Sequence, residues 1–443
     1  MLEGMVSDDM PRSSGLAARQ SGQRPLPSMT SHSGLRVLML SIVDPEIRRG
    51  GAWTVTRGLL EWLRREPWRA EVTVIAPLEP RWPAVRRALS VVAAPWTGVP
   101  AKVRFLRRRA YRNRIRRAFQ RSAFDLLVVN GSDLLWCLDD APRGCRALAI
   151  VHNREARIFG DQIAATFPRA GPVRRWLLRD CARLDAFEGD RLRSVDAALF
   201  LSETEAVEFA DEIPGLEHMV LPPQFPEPPE RVAKSPSGRL DLGFLANFSW
   251  WPNRDGARWL VRDVLDRLPG DVRLHLFGHG SREVVPSHPR VVAHGFVDDL
   301  REVWARCDWM VVPVRYGAGV SVKAAESLYH GMPLLSTHFG LRGLPAIEHP
   351  QIVRRDSAGE WISFLSGPES RALCASRLPL DVSRPFELRS NAPRMDRFLT
   401  RLLEPPAPRN GPSGGDAAEP DRLGRAQGER LRKTGAVSAR VLR

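Results

Sequence analysis

The 443-residue sequence has few cysteines and no long apolar run. Its five cysteines show no Cys-x-x-Cys or Cys-x-x-His spacing, which argues against a structural zinc site and fits a reducing compartment. Apolar runs stay under ten residues, too short for a membrane-spanning helix. Because no basic stretch with a following apolar stretch opens the chain, we expect no signal peptide and a cytoplasmic location.

Lysine is also scarce: the 66 basic residues comprise 62 arginines and only four lysines. The formal net charge is +15 at pH 7, which implies affinity for an anion such as a nucleotide, a membrane surface, a polyphosphate or a nucleic acid. At 43% hydrophobic residues the chain can bury large cores, and its length allows two or three domains. The sequence therefore belongs to a globular protein with an anionic partner.

Composition divides the chain into segments. Residues 1–33 and 404–443 are rich in Pro, Gly and Arg without periodicity, and we predict that both are disordered. Buried-strand patterns alternate with helical patterns over 34–222 and again over 239–403, as in two Rossmann-like α/β domains with parallel sheets. A proline-rich linker over 223–238 separates them.

The segment 309–337 predicts a buried strand, a glycine-rich loop, a helix and a second strand. Its loop, residues 315–321, places Gly317 and Gly319 at the start of the helix. Small residues there let an anion approach free backbone N–H groups, where the helix dipole favours negative charge. The segment therefore predicts an anion-binding loop. The alternative is an ordinary crossover helix whose first turn follows a glycine-containing loop without a ligand.

Two side chains extend this prediction to a nucleotide. Lys323 lies in the first helical turn, and Glu326 lies one turn later on the same face. The N–H groups and Lys323 suit a diphosphate, and the carboxylate suits ribose hydroxyls. Because arginine is the usual cation of this chain, a lysine here is not the default choice. A solvated Lys–Glu pair is the alternative.

Two further candidate positions follow predicted strands of the first domain. Gly50 and Gly51 come after the strand 35–41, and His152 comes after the strand 147–151. Ligands bind at the carboxyl ends of strands in α/β sheets. The alternatives are that the two glycines only form a tight turn and that the histidine side chain only hydrogen-bonds to the backbone.

The sequence Arg-Tyr-Gly-Ala-Gly-Val-Ser-Val-Lys-Ala-Ala-Glu at 315–326, followed by His-Gly-Met-Pro-Leu-Leu-Ser-Thr at 330–337, resembles the donor-site signature of retaining GT-B glycosyltransferases of the GT4 family. The resemblance implies a GT-B fold, in which the parallel sheets of two Rossmann-like domains face each other across a cleft. It also implies retaining transfer of a sugar from a nucleoside diphosphate sugar to an acceptor hydroxyl. Ala318 departs from the family, which often has a Glu facing the donor sugar at this position.

The resemblance implies roles for individual residues. It marks three as catalytic: Lys323 on the diphosphate, Glu326 on the ribose, and His152 reaching across the cleft to the donor sugar. The remaining donor contacts fall on Gly50, Gly51, Asn253, Arg254, Gly278, Phe296, Val297, Gly317, Ala318, Gly319, Val320 and Ser321. The acceptor it implies is a glycan or a lipid-linked glycan of surface polysaccharide or glycolipid biosynthesis.

No Asp-x-Asp pattern ends a predicted strand, and we therefore predict no required divalent ion and no cofactor. Positioning of the phosphates and stabilisation of the leaving group would fall to the N–H groups of 317–321 and to Lys323.

Residues 102–121 contain nine arginines and one lysine without any acid. Apolar residues at helical spacing, including Val103 and Ile115, form a stripe, and such a helix suits an anionic membrane surface. We therefore expect peripheral contact with the inner face of the membrane through Arg104–Arg121. The alternative is a helix that packs by its stripe and leaves a solvated basic face. The segment has no aromatic residues arranged to stack on bases and no recognition-helix motif, so we predict no nucleic-acid partner.

Two rival functions are compatible with these patterns. One is a nucleotide-sugar epimerase on the same scaffold, which needs additional carboxylates in the cleft. The other is a non-enzymatic, arginine-rich protein that binds membrane or nucleic acid through 102–121 and keeps a degenerate donor site, a hypothesis that Ala318 favours.

Overall fold

The computed structural model describes residues 34–46, 50–77, 83–234, 237–285, 287–317 and 319–404. The predicted leader 1–33, nearly all of the predicted tail and Ala318 lie outside the described residues. Within these ranges no helix is long and apolar enough to cross a bilayer.

The first domain is built on a six-stranded parallel sheet with the order β2-β1-β3-β4-β5-β6. Its strands are β1 (Arg36–Ser41), β2 (Glu71–Ile75), β3 (Leu126–Asn130), β4 (Arg146–Val151), β5 (Ala197–Phe200) and β6 (His218–Val220). Its helices are α1 (Gly50–Arg64), α2 (Pro83–Thr97), α3 (Ala101–Leu106), α4 (Arg109–Arg121), a 3-10 helix (Ser132–Asp140), α5 (Glu155–Thr166), α6 (Pro172–Leu192) and α7 (Glu203–Glu212). Strand order reverses between β1 and β3, where α/β sheets bind ligands.

The second domain is a second parallel sheet with the order β12-β11-β10-β7-β8-β9. Its strands are β7 (Leu240–Leu245), β8 (Val272–Phe277), β9 (Val291–Gly295), β10 (Trp309–Val312), β11 (Leu334–Ser336) and β12 (Ile352–Arg354). Its helices are α8 (Trp251–Trp259), a π-helical turn (Leu260–Val264), α9 (Arg301–Arg306), α10 (Val322–Tyr329), α11 (Ala358–Ser366), α12 (Pro368–Leu373) and 3-10 turns at Leu265–Arg267, Phe339–Leu341 and Leu380–Phe386; a last helix, α13 (Leu388–Leu403), follows this domain. The predicted pair of Rossmann-like parallel sheets is confirmed.

Both faces of the first sheet are buried at its central strands β1, β3, β4 and β5, which explains why these strands are largely apolar runs. In β1, Val37 and Met39 pack on one face, and Leu38 and Leu40 pack on the other; all four side chains are fully buried. Parallel pairing sets Val37 opposite Leu126 and fixes the carboxyl ends of β1 and β3 side by side.

Helix α13 follows the second domain but packs on the first. Met395, Phe398 and Leu399 are buried in the same cluster as Val37 and Met39. The packing of α13 therefore ties the end of the described chain back to the first sheet. The domain boundaries themselves stay predictions.

Asp396 fastens α13 to the first domain. Its carboxylate accepts hydrogen bonds from Trp62 Nε1 at 2.9 Å and Trp68 Nε1 at 2.8 Å, and it pairs with Arg65 at 2.7 Å. Both tryptophans are buried, so an Asp396→Ala variant leaves two buried donors unpaired at a cost of about 1–3 kcal/mol each. Urea denaturation should therefore show a loss of about 2–5 kcal/mol in the free energy of unfolding.

An Asp396→Asn variant is the control for this prediction. The amide keeps one acceptor oxygen but loses the charge that faces Arg65, so the loss should be smaller than for alanine. Equal losses for the two variants would contradict the role given to the tryptophan hydrogen bonds.

Candidate active site

The N-terminus of α1 meets the N-terminus of α10 between the two domains. A Cβ placed on Gly51 would lie only 2.8 Å from Val322 Cβ, so the two helices approach this closely because residue 51 has no side chain. Gly50, with φ +66°, turns the chain into α1. Both predicted glycines therefore lie at the domain junction, and two helix N-termini direct positive potential into it.

The predicted glycine loop, residues 315–321, lies against the first domain. Gly319 has φ +71°, and a Cβ there would lie 1.6 Å from Asn153 Oδ1 and 2.7 Å from the carbonyl oxygen of His152. Gly317 has φ +130°, a backbone conformation that favours glycine. The structure therefore brings the predicted loop together with His152.

Two carboxylates of the first domain lie beside this loop. Glu205 on α7 accepts a hydrogen bond from the Gly319 N–H at 3.2 Å, and the carboxylate of Asp161 on α5 lies near Gly317. Burial raises the pKa of Asp161 above its ordinary value. The second oxygen of Glu205 is buried and makes no hydrogen bond with the described residues. An anionic ligand must therefore bind beyond the Gly319 N–H or displace the carboxylate of Glu205.

The start of α10 offers such groups. The backbone N–H groups of Val322 and Lys323 have no hydrogen-bond partner among the described residues, as at most helix N-termini. The buried Ser321 hydroxyl is also unpaired there. Val320, another predicted contact, instead packs against the core of the first domain. Among the described residues, the groups of this loop that remain available to an anion therefore lie at its end, 321–323.

Two cations face this end of the loop. Lys323 Nζ lies 5.7 Å from the centroid of the Trp250 ring and forms no ion pair within the described part of the chain. The Arg342 guanidinium lies 3.9 Å from the Phe339 ring centroid, with Nη2 3.7 Å from where a Cβ on Gly317 would be. Burial and the charge of Arg342 lower the pKa of Lys323 to about 7. A bound anion would relieve both effects.

Glu326, the residue predicted for ribose, lies on α10 one turn beyond Lys323. Its side chain is half-buried. The spacing places its carboxylate on the same side of the helix as the ammonium group of Lys323, and the ribose contact stays a prediction.

Hydrogen bonds fix the tautomer of His152. Its Nε2 lies 2.6 Å from Asn130 Oδ1, while Asn130 Nδ2 donates to Thr56 Oγ1 at 2.7 Å and to Ser41 Oγ at 3.2 Å. Because the amide nitrogen is used as a donor, the amide oxygen accepts from His152, which puts the proton on Nε2 and leaves Nδ1 as an acceptor. Burial lowers the pKa of His152 to about 4, so the ring is neutral at pH 7.

A buried ion cluster supports the loop that carries His152. Lys102 on α3 pairs with Asp133 at 3.1 Å and with Glu155, and Asn153 Nδ2 donates to Glu155 Oε1 at 3.2 Å. Burial alone would lower the pKa of Lys102, but the two carboxylates hold it above its ordinary value. The cluster anchors residues 153–155 and hence the position of His152.

A cavity of about 600 Å³ opens at the carboxyl ends of β8 and β9. Predicted residues Arg254 and Phe296 line it, together with Arg258, His279 and Arg282. Phe296 is 52% exposed, so its ring is available to a planar ligand. The volume lies in the range of small-molecule sites and suits a nucleoside.

Three further predicted donor contacts are next in the chain to residues that line this cavity. A Cβ on Gly278 would lie 2.1 Å from the carbonyl oxygen of Ala246, so Gly278 is needed for backbone packing. Asn253 is buried and donates to the backbone of the preceding loop at 2.8 Å. Val297 packs against the core of the second domain.

Asn130, Asp161, Glu205 and Arg342 were not predicted from the sequence. Asn130 ends a buried strand, and Glu205 closes the Ser-x-x-Glu pattern that begins at Ser202, so both had a usable signal; Asp161 and Arg342 lie in a helix and a turn without a motif. Within the described residues, no group of three or more His, Cys, Asp or Glu side chains could hold a metal ion. Independence from a divalent ion stays a prediction.

Comparisons with known proteins agree with this architecture. Residues 239–362 match the family model described as glycosyl transferases group 1. The structure of HepE from Anabaena in complex with UDP-glucose is similar, with a TM-score of 0.55, 14% identity and coverage of 83% of this chain and 100% of that chain. Sucrose-phosphate synthase from Thermosynechococcus elongatus has a TM-score of 0.54 at 14% identity, covering 83% of this chain and 99% of its own. The predicted GT-B fold is confirmed. Curated protein sequences gave no match.

Proposed function

We propose that this chain, a GT-B glycosyltransferase of group 1, is of the GT4 type and transfers a sugar from a nucleoside diphosphate sugar to an acceptor hydroxyl with retention. The observation that supports the donor is the pair of cations, Lys323 and Arg342, beside N–H groups at the start of α10 that have no partner among the described residues. A diphosphate has the complementary charge and size. The cavity lined by Arg254 and Phe296 then takes the nucleoside.

The same groups would assist bond breaking. As the bond between the sugar and the phosphate oxygen breaks, negative charge grows on the departing nucleoside diphosphate. Lys323, Arg342 and the helix N-terminus are already oriented toward that charge, so little reorganisation is needed during the reaction. Their task is electrostatic and does not call for a metal ion.

His152 fits a role as a hydrogen-bond acceptor. Its proton lies on Nε2 toward Asn130, and it stays neutral at pH 7. Nδ1 can therefore accept from a hydroxyl of the donor sugar, whereas a cationic role is excluded at this pH. Such a bond would orient the sugar relative to the loop at Gly319.

The acceptor we propose is a glycan or a lipid-linked glycan of surface polysaccharide or glycolipid biosynthesis, handled in the cytoplasm at the inner face of the membrane. In the structure, fewer side chains of Arg104–Arg121 are available for contact with a membrane than the sequence predicted. Ile115 is buried in the core, and Arg112 and Arg116 pair with Asp140 at 2.6 and 2.8 Å. Much of this segment is therefore engaged within the first domain.

A thermal-shift panel of UDP, GDP, ADP, CMP and NAD tests the donor. A ligand at about a hundred times its dissociation constant stabilises the folded protein by about 2.7 kcal/mol. We expect one nucleoside diphosphate to raise Tm, and Lys323→Ala to abolish that shift. Arg397→Ala, which removes an exposed cation of α13, is the matched control and should keep it. A flat response to every nucleotide would favour the non-enzymatic alternative.

A further inference from the structure

Helix α2 carries an apolar stripe on its exposed side. Val85, Leu89, Val92 and Trp96 recur at helical spacing and so lie along one face. They expose 51%, 61%, 52% and 80% of their area, and they are half of the large apolar side chains exposed among the described residues. Single exposed apolar residues are ordinary, but a contiguous row of four marks an interaction surface.

The chain around this stripe is strongly basic. Residues 80–124 contain twelve arginines, one lysine and no acid. Arg86, Arg104 and Arg109 are exposed and form no ion pair within the described ranges. In contrast, Arg107 forms an ion pair with Asp139 of the 3-10 helix Ser132–Asp140, with 3.5 Å between Nη2 and Oδ2.

Contacts place α3 and the residue before α4 beside α2. The Arg87 guanidinium lies 5.5 Å from the Phe105 ring of α3. Burial and the nearby charge of Arg86 lower the pKa of Arg108, the residue before α4. Arg87 meets α3 on the face of α2 opposite the apolar stripe, whereas Arg86 flanks the stripe and lies near Arg108, so basic residues adjoin the stripe along this edge.

We propose that α2 and the adjoining arginines form the surface by which this enzyme lies on an anionic lipid membrane. The four apolar side chains would enter the boundary between headgroups and acyl chains, where tryptophan is favoured, and the arginines would bind lipid phosphates. A second copy of the chain is the poorer occupant, because a symmetric contact would set arginine-rich surfaces of like charge against each other.

The surface lies near the cleft. Helix α3 directly follows α2, and its Lys102 pairs with Glu155 at the start of α5, next to the loop of His152. A lipid-linked acceptor would therefore arrive beside the site. That consequence rests on the proposed sugar transfer, whereas the lipid contact itself does not.

Sedimentation of the full chain with vesicles tests the surface. We expect binding to vesicles of phosphatidylcholine with phosphatidylglycerol, weak binding to phosphatidylcholine alone, and release by salt. Leu89→Glu should lower the partition coefficient by about tenfold or more. Leu380→Glu is the matched control, since Leu380 is 62% exposed in the second domain, and it should bind as the wild type does.

The charge component is tested separately. Arg86→Gln combined with Arg104→Gln should weaken binding to the anionic vesicles and leave the weak binding to phosphatidylcholine unchanged. Equal weakening on both kinds of vesicle would contradict a contact with lipid phosphate.

Two outcomes would overturn the proposal. One is equal vesicle binding by the wild type and Leu89→Glu. The other is a wild-type dimer in light scattering that Leu89→Glu dissociates, without lipid binding by either. A nucleotide-induced rise in Tm that persists in Leu89→Glu shows that the variant is folded. It also separates failure of the membrane contact from failure of the proposed transfer.

Discussion

Replacing Lys323 with alanine is expected to lower kcat/KM for sugar transfer by about a hundred- to a thousandfold, the usual cost of removing one group that stabilises transition-state charge. Lys323 is half-buried, so in the alanine variant water compensates only poorly for the lost positive charge. Arg342 and the N–H groups of α10 remain, which is why some activity should survive. Steady-state kinetics with the donor identified by thermal shift measures the effect, and a change of less than about threefold would refute the assignment.

The pH dependence of donor binding provides an independent test. The pKa of Lys323 is lowered to about 7 in the unliganded protein, and a bound diphosphate should return it toward its ordinary value of 10.5. Binding then requires uptake of a proton above pH 7, and the Kd should rise by up to about tenfold per pH unit there. Lys323→Arg keeps its charge and should flatten this dependence, while titration of the nucleotide itself affects both proteins alike.

The same shift has a defined sign for stability. Between about pH 7 and the unfolded pKa of 10.5, the unfolded chain binds the proton of Lys323 and the folded protein does not. This group therefore adds stability to the unliganded protein as the pH rises through that window. Below about pH 7 both states are protonated, and burial of the charge makes Lys323 destabilising.

The sheets and the loop could be predicted because their signals are local. Val37 to Leu40 form an apolar run because both faces of β1 are buried. The rarity of lysine was informative too: Lys102 and Lys234 lie in ion pairs with largely buried carboxylates, and Lys323 lies over an aromatic ring. In a chain whose usual cation is arginine, the three lysines of the described ranges lie where a compact charge fits a confined position.

Contacts between the domains could not be predicted in this way. Glu205 is 114 residues from Gly319, and no pattern around it indicates a partner in the second domain. The basic segment shows the same limit. Its apolar stripe was recognised, but only tertiary packing decides that Ile115 is buried while Leu89 on the preceding helix stays exposed. The segment also divides into α3 and α4 at Arg107, where the sequence predicted one helix.

Gly319→Ala is expected to reduce sugar transfer by about a hundredfold or more while nucleotide affinity changes only a few-fold, because a misplacement of about 1 Å at a catalytic site has effects of this size. The added Cβ would lie 2.7 Å from the backbone carbonyl of His152, which cannot rotate away as the Asn153 side chain can. The loop must then retreat from the first domain, which separates Lys323 from His152. The nucleoside cavity lies within the second domain and is not displaced.

Backbone strain has to be separated from this steric effect. Gly319 has φ +71°, so alanine is strained there whatever the space. Gly215 has φ +85° with nothing within 4 Å of its added Cβ, so Gly215→Ala carries similar strain without a clash. If only Gly319→Ala loses transfer, and both variants bind the nucleotide, then the close approach of the loop to His152 is what the reaction needs. Equal losses in both variants would attribute the effect to strain and remove the argument that the two domains must meet at this glycine.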